Sequence, residues 1–203
     1  ACVSDVLRIP YEPLTISAHE GHTRAVLKIQ EGCDRYCTYC IIPYVRGGIR
    51  SRKPEEIALE AKRLSRAGFS ELVLTGIHLT SYGRDLKNGH TLLTVIEALH
   101  AIPGIERIRL GSLEPTIATA EFSARLARMD KVCPQFHLAL QSGSNTVLAR
   151  MARRYNMTMY MQAVANLRAA FPMAAFTTDV LTCFPGETEE EYEETRQTIR
   201  DVG

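Results

Sequence analysis

Apolar and polar positions along the chain alternate between two patterns: short aliphatic and β-branched runs, and longer stretches with apolar residues three to four apart. AVLKIQ (25–30) is the first short run and predicts a strand. Pro54-Glu-Glu opens a helix, because proline suits the first helical position and acids suit the first turn. Ile57, Leu59, Ala61 and Leu64 give that helix an apolar side, and Gly68 ends it. ELVLTGIHL (71–79) reads as a second strand, apolar enough throughout to predict burial on both faces. A helix over about 91–100 follows, ended by Pro103-Gly104. RIRLGSLE (107–114) predicts a third strand, and Thr119 caps a helix to about Met129. QFHLALQS (135–142) predicts a fourth strand, with helical segments over 144–152 and 158–170. AFTTDVLTCF (175–184) predicts a fifth. Thr188 and Glu191 then form the T-x-x-E capping box of a last helix.

Five strand–helix units predict an α/β fold, a parallel sheet with helices packed outside it and right-handed crossovers. Five are too few to close an eight-stranded barrel and fit an open, partial one. Residues 1–24, with Pro10 and Pro13, read as a linker or approach arm. Residues 25–203 read as the core domain, a C-terminally truncated fragment because a sixth strand is due where the chain stops.

Composition narrows the function. Of 203 residues, 45% are hydrophobic and 23% charged, the balance of a globular core. No apolar run approaches the ~18 residues that span a bilayer, and no signal-peptide pattern stands at the start. No membrane partner is expected. The net charge of +1 excludes a generic polyanion binder. The charge is nevertheless uneven: VRGGIRSRK (45–53) carries four positive charges and no negative ones, whereas GETEEEYEE (186–194) carries six glutamates.

Six cysteines are too few for a disulfide scaffold in a chain this long, and three of them are clustered, which points to thiols holding a metal in a reducing cytoplasm. Cys33, Cys37 and Cys40 stand as C-x3-C-x2-C directly after the first strand. In a parallel α/β fold that strand end is where ligands gather. The spacing leaves three readings open: an iron–sulfur cluster with one iron free of protein ligands, zinc with His22 or a water as fourth ligand, or incidental cysteines.

The loop C33-DRY-C37-T-Y39-C40 resembles the radical S-adenosylmethionine (SAM) superfamily. KIQEGCDRYCTYCIIPYVRG (28–47), TGIHLTSYG (75–83), LQSGSNTVLARMARRY (140–155) and TTDVLTCFPGETEEEY (177–192) together are similar to its methylthiotransferases. TGIH after the second strand, and RIRLGSLEP (107–115), resemble the branch acting on N6-threonylcarbamoyladenosine in tRNA. The isopentenyladenosine and ribosomal-protein branches are the nearer alternatives, and a zinc-binding interaction module is the distant one. The likeness runs from about residue 23 to the end, nearly 90% of the chain.

The resemblance implies a partial (β/α)6 TIM-like barrel, a transferase of sulfur-containing groups, and a [4Fe–4S] cluster on Cys33, Cys37 and Cys40. The cluster's open iron would chelate the amino and carboxylate groups of SAM. Reductive cleavage of SAM would give a 5′-deoxyadenosyl radical, and the product would be a methylthio group on C2 of the modified adenosine beside the anticodon. Tyr39 would neighbour the adenine, and Gly76 would admit the ligand to a strand end. Gln141, Ser142, Ser144 and Arg153 would hold the ribose and carboxylate of SAM, the arginine through its planar two-donor fork. Asp179, an acid in an apolar run, is expected to have a partner, either a ligand or a structural arginine. Strand alternation places His137, Ala139 and Gln141 toward the barrel interior and Phe136, Leu138 and Leu140 toward the helices.

Arg46, Arg50 and Arg52 would meet RNA phosphates, and His78, Ser112 and Glu114 would meet substrate. Cys183 stands where relatives commonly have glycine, and neither it nor Cys2 or Cys133 is expected to ligate the cluster. The family's second cluster, on an amino-terminal domain, and its carboxyl-terminal RNA-binding domain have no counterpart here. The fragment should therefore not complete methylthiolation alone. Neither the electron donor nor the sulfur donor is legible in the sequence.

Overall fold

A computed structural model describes residues 11–12, 23–87 and 89–203. The approach arm and Cys2 and His22 fall almost wholly outside the described residues. Of the arm, Tyr11 donates its hydroxyl to the Lys28 carbonyl (2.7 Å), and its ring lies under the Lys28 ammonium.

The elements run β1 (Arg24–Glu31), α1 (Ile42–Arg46), β2 (Arg50–Ser51), α2 (Pro54–Arg66), β3 (Glu71–Gly76), α3 (Leu92–His100), β4 (Arg107–Leu110), α4 (Ala120–Leu126), β5 (Gln135–His137), α5 (Asn145–Arg150), α6 (Met157–Ala170), β6 (Ala175–Thr177) and α7 (Glu189–Val202). Strands β1, β3 and β4 pair in parallel, as do β5 and β6. Single bridges at Ile108–Val132 and Leu113–Leu138 join the two groups into one curled sheet. This is the expected open half-barrel.

Local chemistry explains the helices. Proline opens α2, Thr91 and Thr119 cap α3 and α4 through their side chains, and the Thr188–Glu191 box caps α7 as the sequence predicts. The outward strand faces carry Leu27, Ile29, Leu72, Leu74, Ile108, Leu110, Phe136 and Leu138, none more than 3% exposed. They pack with Ile57, Leu64, Ile96, Leu99, Leu126, Tyr160 and Leu167 from the helices. Full burial of each aliphatic side chain stabilises the fold by about 1.5–3 kcal/mol.

Three expectations change. First, β3 is buried on its outer face only, because the concave face of the half-barrel is polar. There Glu71 pairs with Arg107 and Arg109 (both 3.0 Å), Arg109 reaches Gln135 (2.9 Å), and Gln135 reaches Thr177 (3.1 Å). Second, the strands are shorter than their apolar runs. Strand β3 stops at Gly76, and the 175–184 run pairs as β6 over three residues and then only through Val180 with Gln141. Third, the end of α1 opens the basic loop, which then forms a short antiparallel strand, β2, paired with the end of β1. Asp85 holds β2 in place by accepting from the Ser51 backbone N–H (2.8 Å) and hydroxyl (2.6 Å).

Candidate functional site

Each parallel strand delivers one loop to the same end of the half-barrel. The cysteine loop follows β1, Gly76–His78 follows β3, Ser112–Glu114 follows β4, Gln141–Ser144 follows β5, and Asp179–Phe184 follows β6.

The cysteine loop is tied down along its length. The Cys33 N–H donates to the Gly47 carbonyl (3.0 Å), Thr38 donates twice to the end of α5, and Arg154 donates to the Asp34 carbonyl (3.2 Å). Cys33 and Cys37 are buried and Cys40 is half-exposed, all as free thiols. Arg153 donates from Nη1 to Cys37 Sγ (3.2 Å), the counter-charge a thiolate needs. Among the described residues no three His, Cys, Asp or Glu side chains converge on a single-ion position. The donor set (three thiols on one loop, a guanidinium against one sulfur) fits a cubane held at three corners.

Residues without an obvious motif build the frame. Gln30 is fully buried at the end of β1. Its Nε2 donates to the carbonyls of Glu31 (2.7 Å) and Gly32 (2.8 Å), and its Oε1 accepts from the His78 N–H (2.7 Å). That side chain fills the space beside Gly76, where a Cβ would lie 2.8 Å from Gln30 Oε1. Gly76 therefore makes room for Gln30, and the strand end is occupied by protein. The sequence signal was a lone amide closing an apolar strand. Gln30→Leu would leave three backbone groups without their partner at nearly constant volume, and is expected to cost about 2–4 kcal/mol in denaturant unfolding.

Glu114 is 3% exposed and gathers the cations of the mouth. Arg35 Nη2 lies 3.1 Å from one carboxylate oxygen; His78 Nε2 (3.0 Å) and Arg153 Nη2 (3.8 Å) face the other. His78 Nδ1 is hydrogen-bonded to Ser81 Oγ. Burial pushes the Glu114 carboxyl up, but His78, Arg35 and Arg153 outweigh it and hold its pKa at about 2. A depressed carboxyl contributes stability above the unfolded value, 4.5, that is lost as pH falls toward about 2. Relative to Glu114→Gln, the wild-type chain is expected to lose about 2 kcal/mol between pH 6 and pH 3, measured by urea midpoints.

Tyr39 and Gln141 are brought together, hydroxyl to Oε1 at 3.2 Å, and Phe184 meets the Tyr39 ring edge-on. Gln141 takes φ +66, in the left-handed region, so its side chain turns into the mouth. Burial raises the Tyr39 pKa, keeping its hydroxyl a donor. Ser142 and Ser144 are fully buried with hydroxyls already engaged, Ser142 with Thr195 of α7 (3.1 Å) and Ser144 with Thr146 (2.9 Å). They shape the loop. Asp179 is not a buried acid: its side chain is 78% exposed, 3.5 Å from His137 on the open concave face. Ser112 is exposed at the same mouth.

The basic loop is not a row of free cations. Arg46 and Arg50 turn to Glu31 (3.2 and 3.9 Å), and Arg52 is buried with Nε 4.0 Å from Glu56. Arg52 therefore does not present its charge to a polyanion. Its backbone carbonyl accepts from the Tyr82 hydroxyl (2.7 Å), a structural tie. Cys133 is buried in the core and Cys183 is exposed at φ +58.

Comparison with known proteins places this geometry. The profile of the radical SAM superfamily matches residues 27–199. The threonylcarbamoyladenosine tRNA methylthiotransferase MtaB of Bacillus subtilis is 45% identical over 98% of this chain and 44% of its own length. The protein of that name from Chlamydia pneumoniae is 42% identical over 93% of this chain and 44% of its own. A Clostridium botulinum tRNA-2-methylthio-N6-dimethylallyladenosine synthase is 39% identical over 90% and 40%. The chain thus spans under half the length of these relatives. Among solved structures, the radical SAM methyltransferase TsrM of Kitasatospora setae, with cobalamin and a [4Fe–4S] cluster bound, superposes with a TM-score of 0.71 at 18% identity, over 88% of this chain and 34% of that one.

Proposed function

This chain belongs to the radical SAM superfamily, and from that premise we propose that it is the catalytic core of a tRNA methylthiotransferase acting at C2 of N6-threonylcarbamoyladenosine. The observation that carries the reading is the three-thiol loop held at the mouth of the half-barrel with Arg153 against Cys37. The branch is supported by the TGIH stretch and by the 45% and 42% identities to proteins named for that nucleoside.

Cys33, Cys37 and Cys40 would hold a [4Fe–4S] cluster, which with SAM supplies one-electron cleavage and an abstracting radical. The chain's own residues position and shield. Tyr39 and Gln141 form one polar wall, placed for an adenine edge and a ribose. Arg153 is already engaged by a sulfur and a carboxylate, so its part is to stabilise the thiolate side of the site. The exposed inner face with Asp179 and His137 is left for substrate. A second cluster and an RNA-binding domain, if this protein resembles its relatives throughout, would lie in the part of their length that this chain does not span, and a reducing cytoplasm suits the free thiols.

Nucleoside analysis of tRNA from cells lacking the full-length gene tests the reading. Loss of the methylthio group from N6-threonylcarbamoyladenosine alone is the expected result; loss from the dimethylallyl nucleoside instead would move the protein to the sister branch. One tightly held zinc and no iron after anaerobic reconstitution would end the enzyme reading.

A further inference from the structure

We propose that Glu114 is a positioning residue for the cluster loop: it ties Arg35 of that loop and holds the Arg153 guanidinium that meets Cys37, and so sets the potential at which the cluster held by the three thiols is reduced. The inference rests on the reading of Cys33, Cys37 and Cys40 as cluster ligands.

One buried carboxylate joins four segments of chain here. Arg35 comes from inside the cysteine loop, His78 from the end of β3, Glu114 from the end of β4, and Arg153 from beyond α5. Glu114 is itself anchored, its N–H donating to Thr80 Oγ1 (2.9 Å) and one carboxylate oxygen accepting from Thr116 (3.1 Å). Arg153 is fixed on two more sides, by Cys37 Sγ and by the Tyr155 hydroxyl (3.2 Å), with the Tyr155 ring under its guanidinium. Tyr155 in turn donates to the carbonyls of Ala139 and Leu140 (both 2.8 Å). Arg153 sets a positive charge against Cys37 Sγ, and the Glu114 carboxylate stands 3.8 Å behind that guanidinium. Such groups act strongly on a nearby charge because buried sites screen weakly. Reduction adds an electron to the cluster, so a positive neighbour favours it and a negative one opposes it.

The test separates positioning charge from mere scaffolding by sign. Full-length protein is reconstituted anaerobically, and the EPR signal that SAM perturbs is followed through a redox titration. Wild-type protein without iron or the broad visible absorbance of a cluster would sink the ligand reading itself. With the cluster present, Glu114→Gln is expected to raise the potential by at least tenfold in the reduced-to-oxidised ratio, about 59 mV. Arg153→Gln is expected to lower it by as much. Wild-type potentials in both variants, or shifts of the same sign, would overturn the proposal. Should Glu114→Gln not fold by circular dichroism, Glu114→Asp carries the test. Its shorter reach draws Arg153 off Cys37 and lowers the potential, and an unchanged potential would overturn the proposal.

Discussion

Cys37→Ala is expected to abolish cluster retention while leaving the chain folded. Cys37 is the middle thiol of the loop, 8% exposed, and the thiol that Arg153 contacts. Two remaining thiolates cannot hold a cubane against loss to solvent. The loop itself does not depend on that sulfur: its backbone is tied by Cys33 to Gly47, Thr38 to Met151 and Cys40 to Cys37 through main-chain hydrogen bonds that alanine preserves. The unloaded variant should therefore lose only about 1 kcal/mol, whereas iron content after anaerobic reconstitution falls to background. Release of 5′-deoxyadenosine should vanish with it. Wild-type iron in the variant would show that the ligands lie elsewhere.

Gly32→Ala is expected to be the most damaging single-methyl change near the site. Gly32 has φ +71, and a Cβ there would lie 1.8 Å from the Gly48 carbonyl oxygen and 2.8 Å from that of Gly47. Both obstacles are backbone, so no side chain can swing aside. A left-handed backbone costs an L-residue about 1–2 kcal/mol, and forcing the extra atom into a packed region adds about 1–3 kcal/mol. The strain falls on the residue before Cys33, whose N–H donates to Gly47. At 2–4 °C per kcal/mol for a chain of this size, the melting temperature should fall by roughly 5–15 °C, with iron retention reduced in parallel. Gly48→Ala is the control: nothing lies within 4 Å of its added methyl, and its stability should stay within about 0.5 kcal/mol of wild type. Equal melting temperatures for the two variants would refute the packing argument.

The order of elements was legible in the chain because it is written in local terms. Apolar runs mark the strands, Pro54, Thr91, Thr119 and Thr188 start helices through chemistry within one turn, and three thiols in eight residues need no tertiary context to announce a metal loop. The outward placing of Phe136 and Leu138 also followed from alternation alone. What the chain could not announce was partner choice across distance. Gln30 reads as an ordinary strand amide until the fold sets it against Gly76 and the His78 N–H, 48 residues on. Arg52 reads as a phosphate-binding cation until β2 pairs with β1 and buries it. Asp179 reads as an acid awaiting a ligand or an arginine, yet lies exposed 3.5 Å from His137 because the sheet curls and leaves its concave side to water. Glu114 becomes the hub of the mouth only when β4 brings it between Arg35 and Arg153, 79 and 39 residues away. A local pattern determines which face of a strand is apolar; only the assembled sheet determines which charges are desolvated together, because desolvation depends on every neighbour at once.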